Sequence, residues 1–98
     1  MKISMNDEAI VATLKIEGRV VGPWATELGR TWRDLWVSAR RKRLRLDICG
    51  VTFADQKGSQ ILQEIVRATG AEIIADTPLT RYFASLAAAD AAVDPEER

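Results

Sequence analysis

The side chains able to do chemistry in this chain are few, and their spacing argues against catalysis. Histidine is absent, and a single cysteine, Cys49, is present. That removes the commonest general base, the Ser-His and Cys-His dyads, and the commonest metal ligand together. One cysteine cannot form an internal disulfide, and no zinc-ligand spacing surrounds it; it reads as a structural thiol. Asp47 and Asp55 could form a carboxylate pair near the end of a strand, where α/β folds place their sites. No second catalytic group accompanies them, and Asp55 is explained as the N-cap of a helix. No catalytic residue, metal site or cofactor is therefore expected, and the chain reads as a non-enzyme.

Charge and composition narrow the class further. The 98 residues carry 14 basic and 14 acidic side chains, a formal net charge of zero, so overall charge steers the chain to neither nucleic acid nor an anionic membrane. The run Arg40-Arg41-Lys42-Arg43, with Arg45, has no interleaved aromatic platform and reads as a solvated loop rather than a nucleic-acid site. No stretch reaches the roughly 20 apolar residues of a membrane span. Met1 to Asp7 lacks the apolar segment of a signal peptide. The cytoplasm is the expected compartment.

The elements follow from periodicity and punctuation. Met1–Met5 and the β-branched run Ala9–Ile16 read as two strands, an antiparallel hairpin across Asn6-Asp7-Glu8. Gly18 and Gly22 bracket an expected loop. Pro23 opens a helix in which Trp24, Leu28, Trp32, Leu35 and Ala39 form one apolar stripe. Trp24 and Trp32 are read as core, and Trp36, at the border, as a partly exposed interface anchor. Leu44, Leu46, Ile48 and Val51 mark a strand with Arg45 and Asp47 on its other face. Asp55 caps a second helix with Ile61, Leu62, Ile65, Val66 and Thr69 inward, closed by Gly70. A short strand surrounds Ile73 and Ile74. Thr77-Pro78 opens a third helix with Leu79, Tyr82, Phe83 and Leu86 on one face. Residues 1–92 form one domain and 93–98 a flexible tail. The order β-β-α-β-α-β-α demands parallel pairing after the initial hairpin. The expected fold is a four-stranded mixed sheet packed with helices.

The stretch from Leu44 to Leu62, LRLDICGVTFADQKGSQIL, resembles the central signature of the STAS domain, the module of bacterial anti-sigma factor antagonists and of sulfate-transporter tails. The match runs through Asp47, Gly50, Val51, Thr52, Phe53, Asp55, Gly58, Ile61 and Leu62. LKIEGRVVGPWATEL and GAEIIADTPLTRYF resemble the flanking strands and helices, so the likeness covers Ala9 to Leu86. It implies a protein-binding regulator whose partner is an anti-sigma factor of the serine-kinase type. In phospho-regulated members the kinase modifies the second hydroxyl residue of an Asp-Ser-Ser/Thr-Gly motif. Here Gln56 and Lys57 occupy the two hydroxyl positions, and neither accepts a phosphate from such a kinase.

The resemblance thus implies a non-phosphorylated antagonist or scaffold, binding through Asp55, Gln56, Lys57, Gly58 and Ser59, with Trp36 as a further anchor. Ser59 is a weak alternative phosphosite, turned about 100° from its neighbour on a helix. Lys57 has two readings: a solvated lysine, or a permanent cationic contact for an acidic partner. Two other assignments fit the same residues: a STAS-like accessory subunit of a lipid-transport ABC system, and a small-ligand or nucleotide-binding module. Oligomeric state is left open.

Overall fold

The computed structural model describes the backbone of residues 1–92 and the side chains of residues 1–88. The expected tail at 93–98 lies outside the described residues. Seven elements follow in the order β1 (Lys2–Asp7), β2 (Val11–Val20), α1 (Gly22–Ser38), β3 (Arg43–Ala54), α2 (Gln56–Thr69), β4 (Glu72–Ile74) and α3 (Pro78–Ala92). The strands form one sheet in the order β1-β2-β3-β4. β1 runs antiparallel to β2, while β2, β3 and β4 are mutually parallel. This is the α/β fold with a four-stranded mixed sheet that the element order requires.

Alternation along the strands decides which face the helices cover. Met5, Leu14, Leu46 and Ile73 are register partners and form one apolar row straight across the sheet. Leu14 and Leu46 have no exposed surface, nor have Ile16 and Val20. The intervening residues Ser4, Lys15 and Arg45 are exposed on the other face, where Arg45 pairs with Glu72 at 3.5 Å. A period of two thus separates a dry face from a wet one. No helix among the described residues is long and apolar enough to cross a membrane.

Three local expectations are corrected. The loop expected between Gly18 and Gly22 is strand as far as Val20, and the register slips between Gly18 and Arg19. Gly18 has φ 91°, and the glycine marks a bulge inside β2 rather than the strand's end. Trp24 is 52% exposed, not core. The buried stripe of α1 runs through Ala25, Leu28, Trp32 and Ala39. Trp24 lies about 70° from its centre at 100° per residue, in the first turn of the helix.

The third correction concerns α3. Its buried residues are Thr80, Phe83 and Ala87, whereas Leu79 and Tyr82 are 42% and 57% exposed. The helix is rotated by about 80° from the face expected of it. A polar threonine can occupy the dry side because its hydroxyl is satisfied. Thr80 Oγ1 accepts from the Thr77 N–H at 2.9 Å, and Thr77 Oγ1 accepts from the Thr80 N–H at 3.0 Å. This is a reciprocal capping box, with threonine in the place that glutamate usually holds.

Candidate functional site

The candidate site lies where the parallel strands end. β2 and β3 both deliver the chain to the same edge of the sheet, and α1 and α2 both begin there. The first turn of any helix leaves backbone N–H groups without intrahelical partners. Val21, the N-cap of α1, provides no side-chain cap. Asp55 serves both helices instead. Its Oδ1 accepts from the Gly58 N–H at 2.7 Å, capping α2, and its Oδ2 accepts from the Gly22 N–H at 3.0 Å, at the start of α1. The Asp55 N–H in turn donates to the Val20 carbonyl at 3.3 Å, closing the strand end onto the helix.

The carboxylate therefore sits between the positive ends of two helix dipoles. Its pKa is held below the ordinary carboxylate value, first by the Gly58 N–H and next by the Gly22 N–H. Partial desolvation opposes this, and the Lys57 ammonium adds a smaller lowering. A folded-state pKa below the unfolded one contributes stability that is complete above the unfolded value and is lost as pH falls through the folded value. The wild-type chain is accordingly expected to be more stable than Asp55→Asn at neutral pH, because an asparagine presents one oxygen where two are needed. That advantage should shrink on acidification. Urea midpoints of both proteins over an acid pH series check it; a gap that stays constant into strongly acidic solution contradicts the two-helix role.

The sequence-predicted residues separate into three groups. Gln56 and Lys57 are exposed on the opening turn of α2 and present their side chains outward. Asp55 and Ser59 are half-buried, and the Ser59 N–H donates to the Asp55 carbonyl at 2.8 Å. Gly58 is buried. A Cβ placed on it would overlap the Val20 carbonyl oxygen and stand 3.0 Å from that carbonyl's carbon. Its role at this edge is close approach of helix to strand. Trp36 is not brought to the site: it lies fourteen residues beyond Gly22, about 21 Å further along the helix axis.

Sequence reasoning missed the exposed apolar side chains at and near this edge. Trp24 is the third residue of α1, Phe53 stands two residues before Asp55, and Leu79 and Tyr82 belong to the first turns of α3, which follows β4, a strand that ends opposite Asp47. All four are exposed large hydrophobics. Phe53 meets Phe83 edge-on at 6.2 Å, and Phe83 lies 5.6 Å from Tyr82, so these rings are continuous. The Arg19 guanidinium is 5.8 Å from the Phe53 ring centre. Phe53 and the α3 rings meet only in the fold, since Phe53 and Phe83 stand 30 positions apart in sequence.

Cys49 lies apart from this edge in reactivity as well as position. Burial, then the hydrogen bond and charge of Asp47, then Asp76, push its thiol up to about 11. The thiolate is the reactive form, so alkylation by iodoacetamide at neutral pH should run about 100-fold slower than for a free thiol. Mass spectrometry of a timed reaction reads this, and labelling at the rate of free cysteine contradicts it. Among the described residues no group of three cysteine, aspartate or glutamate side chains is placed to hold a metal ion.

No protein-family model matches the chain, and no curated protein does. Among solved structures it is similar to a crystal structure of a protein called Mglu, at 20% identity and a TM-score of 0.58, over 76% of this chain and 19% of that one. A structure of Mglu in its native form is 22% identical over 76% of this chain and 23% of that one, with a TM-score of 0.46. The chain spans about a fifth of the length of these structures. The first likeness is one of fold.

Proposed function

We propose that this chain is a protein-interaction module of the STAS type, resembling the anti-sigma factor antagonists, and that it docks its partner on the edge where α1 and α2 begin. One observation carries the reading. Of the six large hydrophobic side chains exposed among the described residues, Trp24 lies in the first turn of α1, Phe53 two residues before Asp55, and Tyr82 is joined to Phe53 through the Phe83 ring, beside the exposed turn at Gln56 and Lys57. Apolar side chains gathered at one place and rimmed by polar ones are the mark of a binding surface, and tryptophan and tyrosine are enriched among residues that dominate such surfaces.

Lys57 defines the variant. In the proteins it resembles, a hydroxyl at this position is phosphorylated to release the partner. A phosphate there would add about −1.5 to −2 charges to the docking edge; an ammonium adds one positive charge that no kinase alters. The module is therefore a non-phosphorylated antagonist or scaffold, with a partner that places an acidic group opposite Lys57, such as an anti-sigma factor of the serine-kinase class. On this reading the chain works in the bacterial cytoplasm.

A photo-crosslinking residue at Gln56, followed by mass spectrometry of captured proteins in the source organism, identifies the partner. Affinity is then measured with Lys57→Glu and Trp24→Ser. Each is expected to weaken binding by about tenfold or more, as hot-spot substitutions do. A partner that binds both variants as well as the wild type overturns the edge as the docking surface, and capture of a transporter ATPase assigns the module to a lipid-transport system instead.

A further inference from the structure

A second apolar feature lies at the far end of α1, where Trp36 is found. Trp32 is buried against the core, and its Nε1 donates to Glu64 Oε2 at 3.2 Å. The same carboxylate oxygen pairs with Arg33, whose guanidinium stands 5.1 Å from the Trp32 ring centre. Trp36 lies 6.2 Å from Trp32 with the rings inclined at 35°, and its Nε1 donates to the Lys42 carbonyl at 2.9 Å. Both indole N–H groups are thus engaged within the fold. Ring surface, with Arg33, Val37, Arg41 and Ala68, lines an open groove of about 270 Å³ between α1 and α2. Val37 is 54% exposed. That volume is below the roughly 300–1,000 Å³ of small-molecule pockets and suits one or two side chains.

The chain leaves α1 in an unusual way. Arg40 and Arg41 have φ values of 62° and 52°, two consecutive residues with side chains in the left-handed region. Side chains disfavour that conformation and glycine does not. Backbone strain of this kind persists where surrounding structure enforces it, and it clusters at functional sites. Here the Arg41 N–H donates to the Trp36 carbonyl at 2.9 Å, holding the turn in place. The result puts both residues just past the end of α1, with Arg41 lining the groove itself. Glu64 is committed to Arg33 and Trp32. Neither Arg40 nor Arg41 forms an ion pair among the described residues.

We propose that this groove docks an acidic segment of a partner protein, with an apolar side chain laid on the Trp32 and Trp36 rings and flanking carboxylates reaching Arg41 and Arg40. Charge complementarity selects this occupant: the lining is apolar and its unmatched charge is positive. Single-stranded nucleic acid would require a line of cations tracking the backbone; of the groove's two lining cations, Arg33 is paired with Glu64, which leaves Arg41, and the chain has zero net charge. The surface lies about 21 Å along α1 from the Asp55 edge, and it stands whether or not that edge binds a partner.

The test titrates the ¹⁵N-labelled chain, carrying Trp24→Phe, with a twelve-residue synthetic peptide of glutamates and aspartates flanking a central Leu-Phe pair. Controls are the same peptide with lysines for the acids, one with serines for Leu-Phe, and an oligo-dT strand. The acidic apolar peptide is expected to shift the Trp36 and Trp32 indole resonances and the Arg41 amide, and each control to bind at least tenfold more weakly. Arg41→Gly should raise the thermal midpoint, because the strained backbone relaxes, while weakening the peptide by about tenfold. That opposition separates a binding role from a folding role. Equal binding by the lysine peptide or the oligonucleotide, shifts confined to the Lys57 edge, unchanged affinity in Arg41→Gly, or no shift at millimolar peptide would each overturn the proposal.

Discussion

Gly58→Ala is expected to destabilise the chain by about 3 kcal/mol or more, the upper end of what overpacking costs. The reason is geometric. The Cβ would overlap the Val20 carbonyl oxygen, and that oxygen belongs to backbone, not to a side chain that can swing aside. Val20 O also accepts the Asp55 N–H, so it is tied on the helix side as well. Relief requires α2 to retreat from β2, which stretches the Asp55 to Gly58 cap and the Asp55 to Gly22 bond together. Domains of this size have about 5–15 kcal/mol of stability in total, so the variant would sit near its folding threshold. Urea denaturation measures the loss. Gln56→Ala, on the same turn but exposed, is the control and should stay within about 0.5 kcal/mol of wild type. A Gly58→Ala protein as stable as that control would contradict the close approach of α2 to β2.

Phe83→Ala should cost about 3–4 kcal/mol, in the range of buried aromatic truncations. Phe83 is 5% exposed and joins α3 to the sheet through its edge-on contact with Phe53. Truncation leaves a void that neighbouring α2 cannot fill without losing the Gln63 side-chain bond to the Leu86 carbonyl, 3.1 Å long, which ties the two helices together. Leu79→Ala, by contrast, removes a side chain that is already 42% exposed and should change stability by no more than about 0.5 kcal/mol. The pair tests the rotation of α3 directly. The amphipathic stripe read from sequence places Leu79 and Phe83 on the same buried face and predicts large losses for both. Chemical denaturation of the two variants distinguishes the alternatives, and a Leu79→Ala loss approaching that of Phe83→Ala would restore the other face.

The docking edge and the groove differ in what each would do for the molecule. At the edge, the same carboxylate that organises two helix starts holds Lys57 and Gln56 in a defined turn, so presentation and folding are joined in Asp55. At the groove, Arg41 is strained and its replacement by glycine is expected to favour the fold. The first surface is a by-product of good local structure. The second is maintained against it.

Element order, strand and helix identities and three helix-end signals were legible in the residues themselves. Asp55 before a helical run, Gly70 after it and Thr77-Pro78 before another are interactions within a few positions along the chain. The alternation of Leu44, Leu46 and Ile48 is equally local. Those features determined an α/β fold and the position of the α2 opening turn, including the exposed Lys57. What the tertiary structure decided are the relations across distance: Asp55 reaching Gly22 across 33 positions, Gly58 seated on Val20, Trp24 left half-exposed beside the buried stripe of α1, α3 turned to bury Thr80, and Trp36 separated from the edge it was grouped with. Periodicity states which residues share a side of an element. It does not state what lies opposite that side or where the covering layer stops, because burial depends on how elements are placed against one another, and that placement follows from the packing of all of them at once.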